Sequence, residues 1–213
     1  MLHSSSDPKL TQRSYINLVH PLLPLLPESQ VELEAELADC SATLRRAFTE
    51  ALYAVVHSLT AGPAAAAEGS PKVALCLLAE WETEPGVRSV PSLLVQLRTF
   101  ILLAIEADTH GPDSLKGQHG GPSRTTLLSR AIMTAYSMNV AEAQRELIDY
   151  AEVHLESSDA LVMRAWFSLV ALDRWNAVGT GAQVLIPEES VVFGLGLKAV
   201  LGEGAYQFLR KFG

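Results

Sequence analysis

Apolar residues recur along this chain at three- and four-residue spacing, and no stretch shows a sustained alternation of apolar and polar positions. That period belongs to helices that bury one face, and its strand counterpart is missing. Thr11 to Val19 reads as a short helix. Three prolines in seven positions, Pro21, Pro24 and Pro27, then force an extended connection, because proline lacks the N–H that a helix needs. Ser29 to Ala38 reads as a second short helix. Ser41 caps a longer one, with Leu44, Phe48, Ala51, Leu52, Val55 and Val56 on one face. Ser70-Pro71 opens a helix that runs to about Trp81, and Glu82 to Ser89 is a turn. Pro91 to Asp108 follows as a helix burying Leu94, Leu97, Ile101, Ala104 and Ile105. Ser123 starts another, with Leu127, Leu128, Ala131, Ala135 and Met138, and Ala141 to His154 is amphipathic.

One stretch organises the rest. Leu161 to Gly181 begins as an apolar helix and ends in Asp173-Arg174-Trp175 before a Gly-Thr-Gly break. Val162, Trp166, Leu169 and Leu172 form its apolar stripe, and Asp173, seven residues after Trp166, falls on the same stripe. A carboxylate there must find a partner, because an unpaired buried charge is too costly to keep. Arg164 and Arg174 lie close by. Beyond Gly181, Val184 to Pro187 reads as extended, Glu188 to Val192 as a turn, and Leu197 to Phe212 as the last helix. The whole is an all-α, irregular multi-helix domain of about seven to nine helices over residues 1–213. Residues 1–10 are expected to be disordered, and 60–69 and 109–122 to be mobile loops, since both are glycine-rich or low in complexity.

Composition narrows the function classes. The 213 residues are 48% hydrophobic, enough for one substantial core, and no apolar run reaches the length of a membrane span. The longest, Leu93 to Ala107, is interrupted by Gln96, Arg98 and Glu106. The first residues lack the basic segment and apolar core of a signal peptide, so the chain is expected to be intracellular and soluble. A net charge of −8 with no cluster of lysine and arginine argues against direct nucleic-acid contact. Cys40 and Cys76, far apart and in apolar helical surroundings, read as plain buried thiols.

Candidate chemistry is sparse. Gly194, Gly196 and Ala199 match a dinucleotide-binding pattern, but the mechanism needs a following βαβ unit that the sequence does not supply. His110 and His119 share a loop with Asp108 and Asp113 without a helical ligand pair. No nucleophile elbow or phosphate-binding loop is present, so neither a catalytic residue nor a metal or cofactor ligand is assigned and no enzyme is expected. Asp173 with Trp166, Trp175 and Asn176 could line a small-molecule pocket, or the Asp-Arg pair could fix how its helix docks; the second reading is favoured. Ser168, Asn176 and Thr180 read as helix-surface or turn groups.

Several segments in order resemble the middle homology region of fungal zinc-cluster transcription factors. Tyr15-Ile16-Asn17-Leu18-Val19-His20-Pro21 with Pro24 and Leu26 is similar to that family's opening segment, and Leu44 to Phe48 to its next helix. Leu93 to Pro112 and Ser129 to Met138 resemble two further helices. Arg164-Ala165-Trp166-Phe167 with Leu172-Asp173-Arg174-Trp175 resembles its Arg-Arg-x-Trp-Trp and Leu-Asp-Arg signature, with Met163 and Phe167 as departures. Leu-Asp-Arg-Trp, Gly-Thr-Gly and Leu-Ile-Pro resemble most the branch of glucose-transport regulators.

The resemblance covers about residues 12 to 210. It implies a nuclear regulatory domain of a transcription factor acting on RNA polymerase II genes, with Arg164, Trp166, Asp173, Arg174 and Trp175 as structural signature residues. It also implies a fragment. Two cysteines cannot hold a Zn2Cys6 cluster, so zinc and DNA contact would belong to a module outside these residues, leaving co-regulator proteins or a metabolite as partners. The alternative is a free-standing helical module that binds a small molecule.

Overall fold

The computed structural model describes residues 8–61, 70–109, 122–149, 157–194 and 196–212. Among them the secondary structure is helical, with no strand. In chain order the helices are α1 (Pro8–Leu18), α2 (Gln30–Ala38), α3 (Ala42–Ala61), α4 (Ser70–Thr83), α5 (Val90–Thr109), α6 (Arg124–Ser137), α7 (Val140–Asp149), α8 (Ser158–Thr180) and α9 (Leu197–Phe212). A short 3-10 turn, Glu188–Ser190, lies between the last two.

Local chemistry sets the helix ends. The Ser123 hydroxyl accepts the Thr126 N–H at 3.2 Å, and the Ser157 hydroxyl accepts that of Ala160 at 3.2 Å, each satisfying a donor that the first helical turn leaves open. Asn139 takes a φ of 56° between α6 and α7, a left-handed conformation that asparagine tolerates. α8 runs through Asp173-Arg174-Trp175 to Thr180, beyond the end expected at the signature. It stops at Gly181, where φ is +68° and the N–H bonds Ala177 O at 2.9 Å. α1 likewise begins at Pro8, earlier than Thr11.

Two helices carry the core. α5 packs against α3, α4, α6 and α8, and α8 against α5, α6, α7 and α9. Both are therefore buried nearly all round rather than along one stripe. α5 is long and apolar enough by length and composition to cross a membrane, but 78% of that window is buried inside this fold. Phe100, Leu97 and Ile101 of α5 and Trp166 of α8 are completely enclosed. Each such side chain stabilises by roughly 1.5–3 kcal/mol relative to exposure.

The interruptions in the apolar run of α5 are buried too. Gln96 donates to Glu82 at 2.9 Å, and Arg98, with no exposure, pairs with Glu36 of α2. Cys40 is a buried thiol, but Cys76 is exposed on α4. Its helix turns Ala74, Leu78 and Trp81 inward, and position 76 falls between them on the outer side. Most of the loops expected to be mobile, and His110, His119 and Asp113, lie outside the described residues, as do residues 1–7 and the end of the amphipathic segment after Asp149.

Candidate functional site

The residues that single out α8 act on the segment that follows it. After Gly181 the chain turns back along the helix, and Asp173, which is fully enclosed, receives it. Its carboxylate accepts the Leu185 N–H at 3.1 and 3.0 Å and the Ile186 N–H at 2.9 Å. Arg174 donates through Nη1 to the Ile186 carbonyl at 2.8 Å and stands 3.8 Å from Asp173 Oδ2. Two adjacent side chains thus satisfy the backbone donors and the acceptor of one short extended stretch. A buried backbone segment needs such partners when no strand is present.

Gln144 of α7 does the same further on. It donates to Ser190 O at 3.1 Å and accepts from Val192 N–H at 2.9 Å. The segment 182–194 is therefore a strap pinned at two points by side chains. Nothing in the sequence marks Gln144, because a side-chain amide serving a backbone 46 and 48 positions away has no local signal.

Arg164 and Trp166 have other surroundings. Arg164 donates through Nε to the Val200 carbonyl of α9 at 2.9 Å. Burial holds its guanidinium below the usual arginine range and Arg98 adds to this, while Glu28, Glu32 and Glu36 oppose it. Trp166 is enclosed against Tyr136, with ring centroids 5.8 Å apart, and its indole N–H has no hydrogen-bond partner. Asn176 is buried with neither end of its amide bonded.

Trp175 is 46% exposed. It stands nine residues from Trp166, about half a revolution further round the helix, so the two indoles point to opposite sides of α8. They are not brought together as walls of one pocket, and the Asp173 carboxylate is occupied by the strap. Thr180 donates to Asn176 O at 2.6 Å, a turn bond, while Ser168 is buried with an unpaired hydroxyl.

A second polar centre lies where α2, α5 and α8 meet. Arg98 and Arg164 share it with Glu28, Glu32 and Glu36, and with Tyr15 and His20 from the first segment. The Tyr15 hydroxyl donates to Leu23 O at 3.2 Å, and burial pushes it above the ordinary phenol range. His20 Nε2 is 3.6 Å from Glu28, and burial, partly offset by Glu28, lowers the imidazole pKa.

Two clefts are narrow. One, of about 70 Å³, lies between α8, the strap and α9, bounded by Ala171, Arg174, Glu188 and Phe193. The other, of about 80 Å³, runs between α2 and α3 beside Leu33, Leu37, Phe48 and Leu52. A drug-sized ligand usually occupies roughly 300 Å³ or more. A third, of about 300 Å³, is an open groove along α6 beside Arg130 and Met133. Among the described residues no three His, Cys, Asp or Glu side chains are grouped as metal ligands. The pattern at Gly194 to Ala199 leads straight into α9, with no strand before it.

No family model matches the chain, and no solved structure matches it. Over 201 residues, 92% of its length, the chain is 30% identical to an uncharacterized transcriptional regulatory protein of Schizosaccharomyces pombe. It spans 22% of that protein, so the similarity is to one segment of a much longer chain.

Proposed function

We propose that this chain is the helical regulatory domain of a fungal transcription regulator, and that it works through protein contacts in the nucleus rather than by catalysis. The observation that carries the reading is the similarity along nearly the whole chain to a segment of a transcriptional regulatory protein. The net charge of −8 is consistent with it, since DNA contact then falls to another module, the zinc cluster that the resemblance implies. The likeness of Leu172-Asp173-Arg174-Trp175, Gly179-Thr180-Gly181 and Leu185-Ile186-Pro187 to glucose-transport regulators extends the proposal to RNA polymerase II genes of sugar transport or carbon metabolism.

A free-standing small-molecule module has less support. The two narrow clefts are a fraction of the size of a typical ligand pocket, the larger groove along α6 lies open to solvent, and the Asp173 carboxylate is already satisfied by backbone. The test is a reporter assay in yeast with the chain placed between a heterologous DNA-binding domain and an activating segment. A regulatory domain changes reporter output relative to the same fusion carrying an inert helical spacer. Output identical to the spacer control across carbon sources would refute the proposal.

A further inference from the structure

α2 is held differently from the helices beneath it. Of its nine residues only Leu33 is buried, whereas the twenty residues of α3 bury nine. Charge fastens it, alongside the apolar contacts of Leu33 and Leu37. Glu28, Glu32 and Glu36 are spaced by four, so they share one side of the helix and its approach. That side meets Arg98 and Arg164: Glu36 pairs with Arg98 Nη1, and Arg164 lies in the field of all three carboxylates.

Arg98 is not saturated by this arrangement. Arg98 has no exposure, yet its Nε and Nη2 hydrogens have no partner. Those two N–H groups form the side edge of the guanidinium, the fork that matches both oxygens of a carboxylate. Buried donors left open in this way are costly, and a better-placed carboxylate would relieve them. The other edge of α2 walls a cleft shared with α3 and with Thr11 and Gln12 of α1, and there Leu33 and Leu37 face Phe48 and Leu52. Lifting α2 would therefore bare an apolar trough next to two arginines.

We propose that α2 is a displaceable lid, and that the surface it covers is a docking site for an acidic amphipathic helix of a partner protein. The occupant's chemistry is that of α2 itself: carboxylates four residues apart along one edge, for Arg98 and Arg164, and leucines along the next, for Phe48 and Leu52. The lid and the partner compete for one surface, so the site is closed until a stronger acidic helix arrives. The inference rests on the placement of these residues and is independent of the transcriptional reading.

The probe is a fluorescein-labelled peptide with the sequence of residues 28–39, followed by fluorescence anisotropy on the whole chain. Glu36→Gln loosens the lid and should tighten peptide binding about tenfold, because apparent affinity scales with the fraction of open sites. Adding Arg164→Gln should abolish that gain, and a peptide with Gln at positions 28, 32 and 36 should not bind. Circular dichroism establishes that each variant is folded. A second measurement needs no variant: saturating peptide should speed hydrogen exchange at 30–38 in the wild-type chain while α3 and α5 stay protected.

Equal affinity of wild type and folded Glu36→Gln would overturn the proposal, as would unchanged exchange of α2 in the presence of bound peptide. Binding retained by the Gln peptide would also overturn it, by showing an apolar contact alone. Displacement of the peptide by octanoate at matching concentration would assign the site to a small carboxylate instead.

Discussion

Replacing Asp173 with alanine removes the group that holds the strap to α8, and the structure sets the size of the effect. The carboxylate accepts from two backbone N–H groups, at about 3.0 Å from Leu185 and 2.9 Å from Ile186, and it helps to orient Arg174. Alanine leaves the buried Ile186 N–H and the half-buried Leu185 N–H without an acceptor. Each hydrogen bond to a charged group contributes about 1.5–3 kcal/mol, and part of the gross loss returns because the carboxylate no longer has to be desolvated. The expected net cost is about 3 kcal/mol. In a chain of this size that lowers Tm by about 6–12 °C. Asp173→Asn keeps an acceptor oxygen but not the charge, and neutral hydrogen bonds are roughly half as strong, so its cost should be about 1–2 kcal/mol. Urea denaturation followed by far-UV circular dichroism measures both. An Asp173→Ala chain within 0.5 kcal/mol of wild type, or equal losses for Ala and Asn, would refute the clamp.

Further outcomes follow from other parts of the fold. The His20 pKa is lowered in the folded chain, so the unfolded chain binds the extra proton first; stability is full above the unperturbed value of about 6.5 and falls as pH drops below it. His20→Gln should flatten the dependence of Tm on pH between 7 and 5, and an unchanged slope would count against the assignment. A Cβ added at Gly204 would meet the Pro21 carbonyl at 2.9 Å, a contact with backbone that cannot swing away. Gly204→Ala should therefore cost about 1–3 kcal/mol, read by the same denaturation assay, and a neutral result would mean that the two segments do not touch. In native buffer Cys76 should react with Ellman's reagent at once. Cys40 should stay silent until unfolding, since it is enclosed and burial pushes its thiol up to about 11. Two equivalents released from the folded chain would contradict this.

The helices were legible because their apolar spacing is a local property. Ser123 could be placed at a helix start for the same reason: a cap and its donor are three residues apart. Asp173 was recognisable as a buried carboxylate needing a partner, but not as a clamp on backbone twelve and thirteen residues later, since that depends on where the chain returns after Gly181. Arg98 looked like a break in an apolar run. Its partner Glu36 is 62 positions away, and no periodicity relates them. Trp175 and Trp166 belong to one signature in sequence, but a half-turn of helical phase separates them. Cys76 shows the same limit: an apolar neighbourhood in sequence does not fix which side of a helix faces out.

The kink in α9 has a bearing on the order in which this chain can be completed. Gly202 takes φ 76° and ψ 163°, a conformation open essentially to glycine alone, and it breaks the helix just after Val200. A continuous helix would commit the Val200 carbonyl to the N–H four residues on, but the break leaves it to Arg164. Beyond the break, Gly204 comes against the Pro21 carbonyl near the other terminus of the chain. During synthesis α3, α5 and α6 can assemble as soon as they emerge, whereas Pro21 and Arg164 must wait for residues made some 180 and 36 positions later. α9 thus ties the first segment and α8 together across long stretches of sequence. A chain cut before Val200 would leave the Pro21 carbonyl and the Arg164 guanidinium without these contacts.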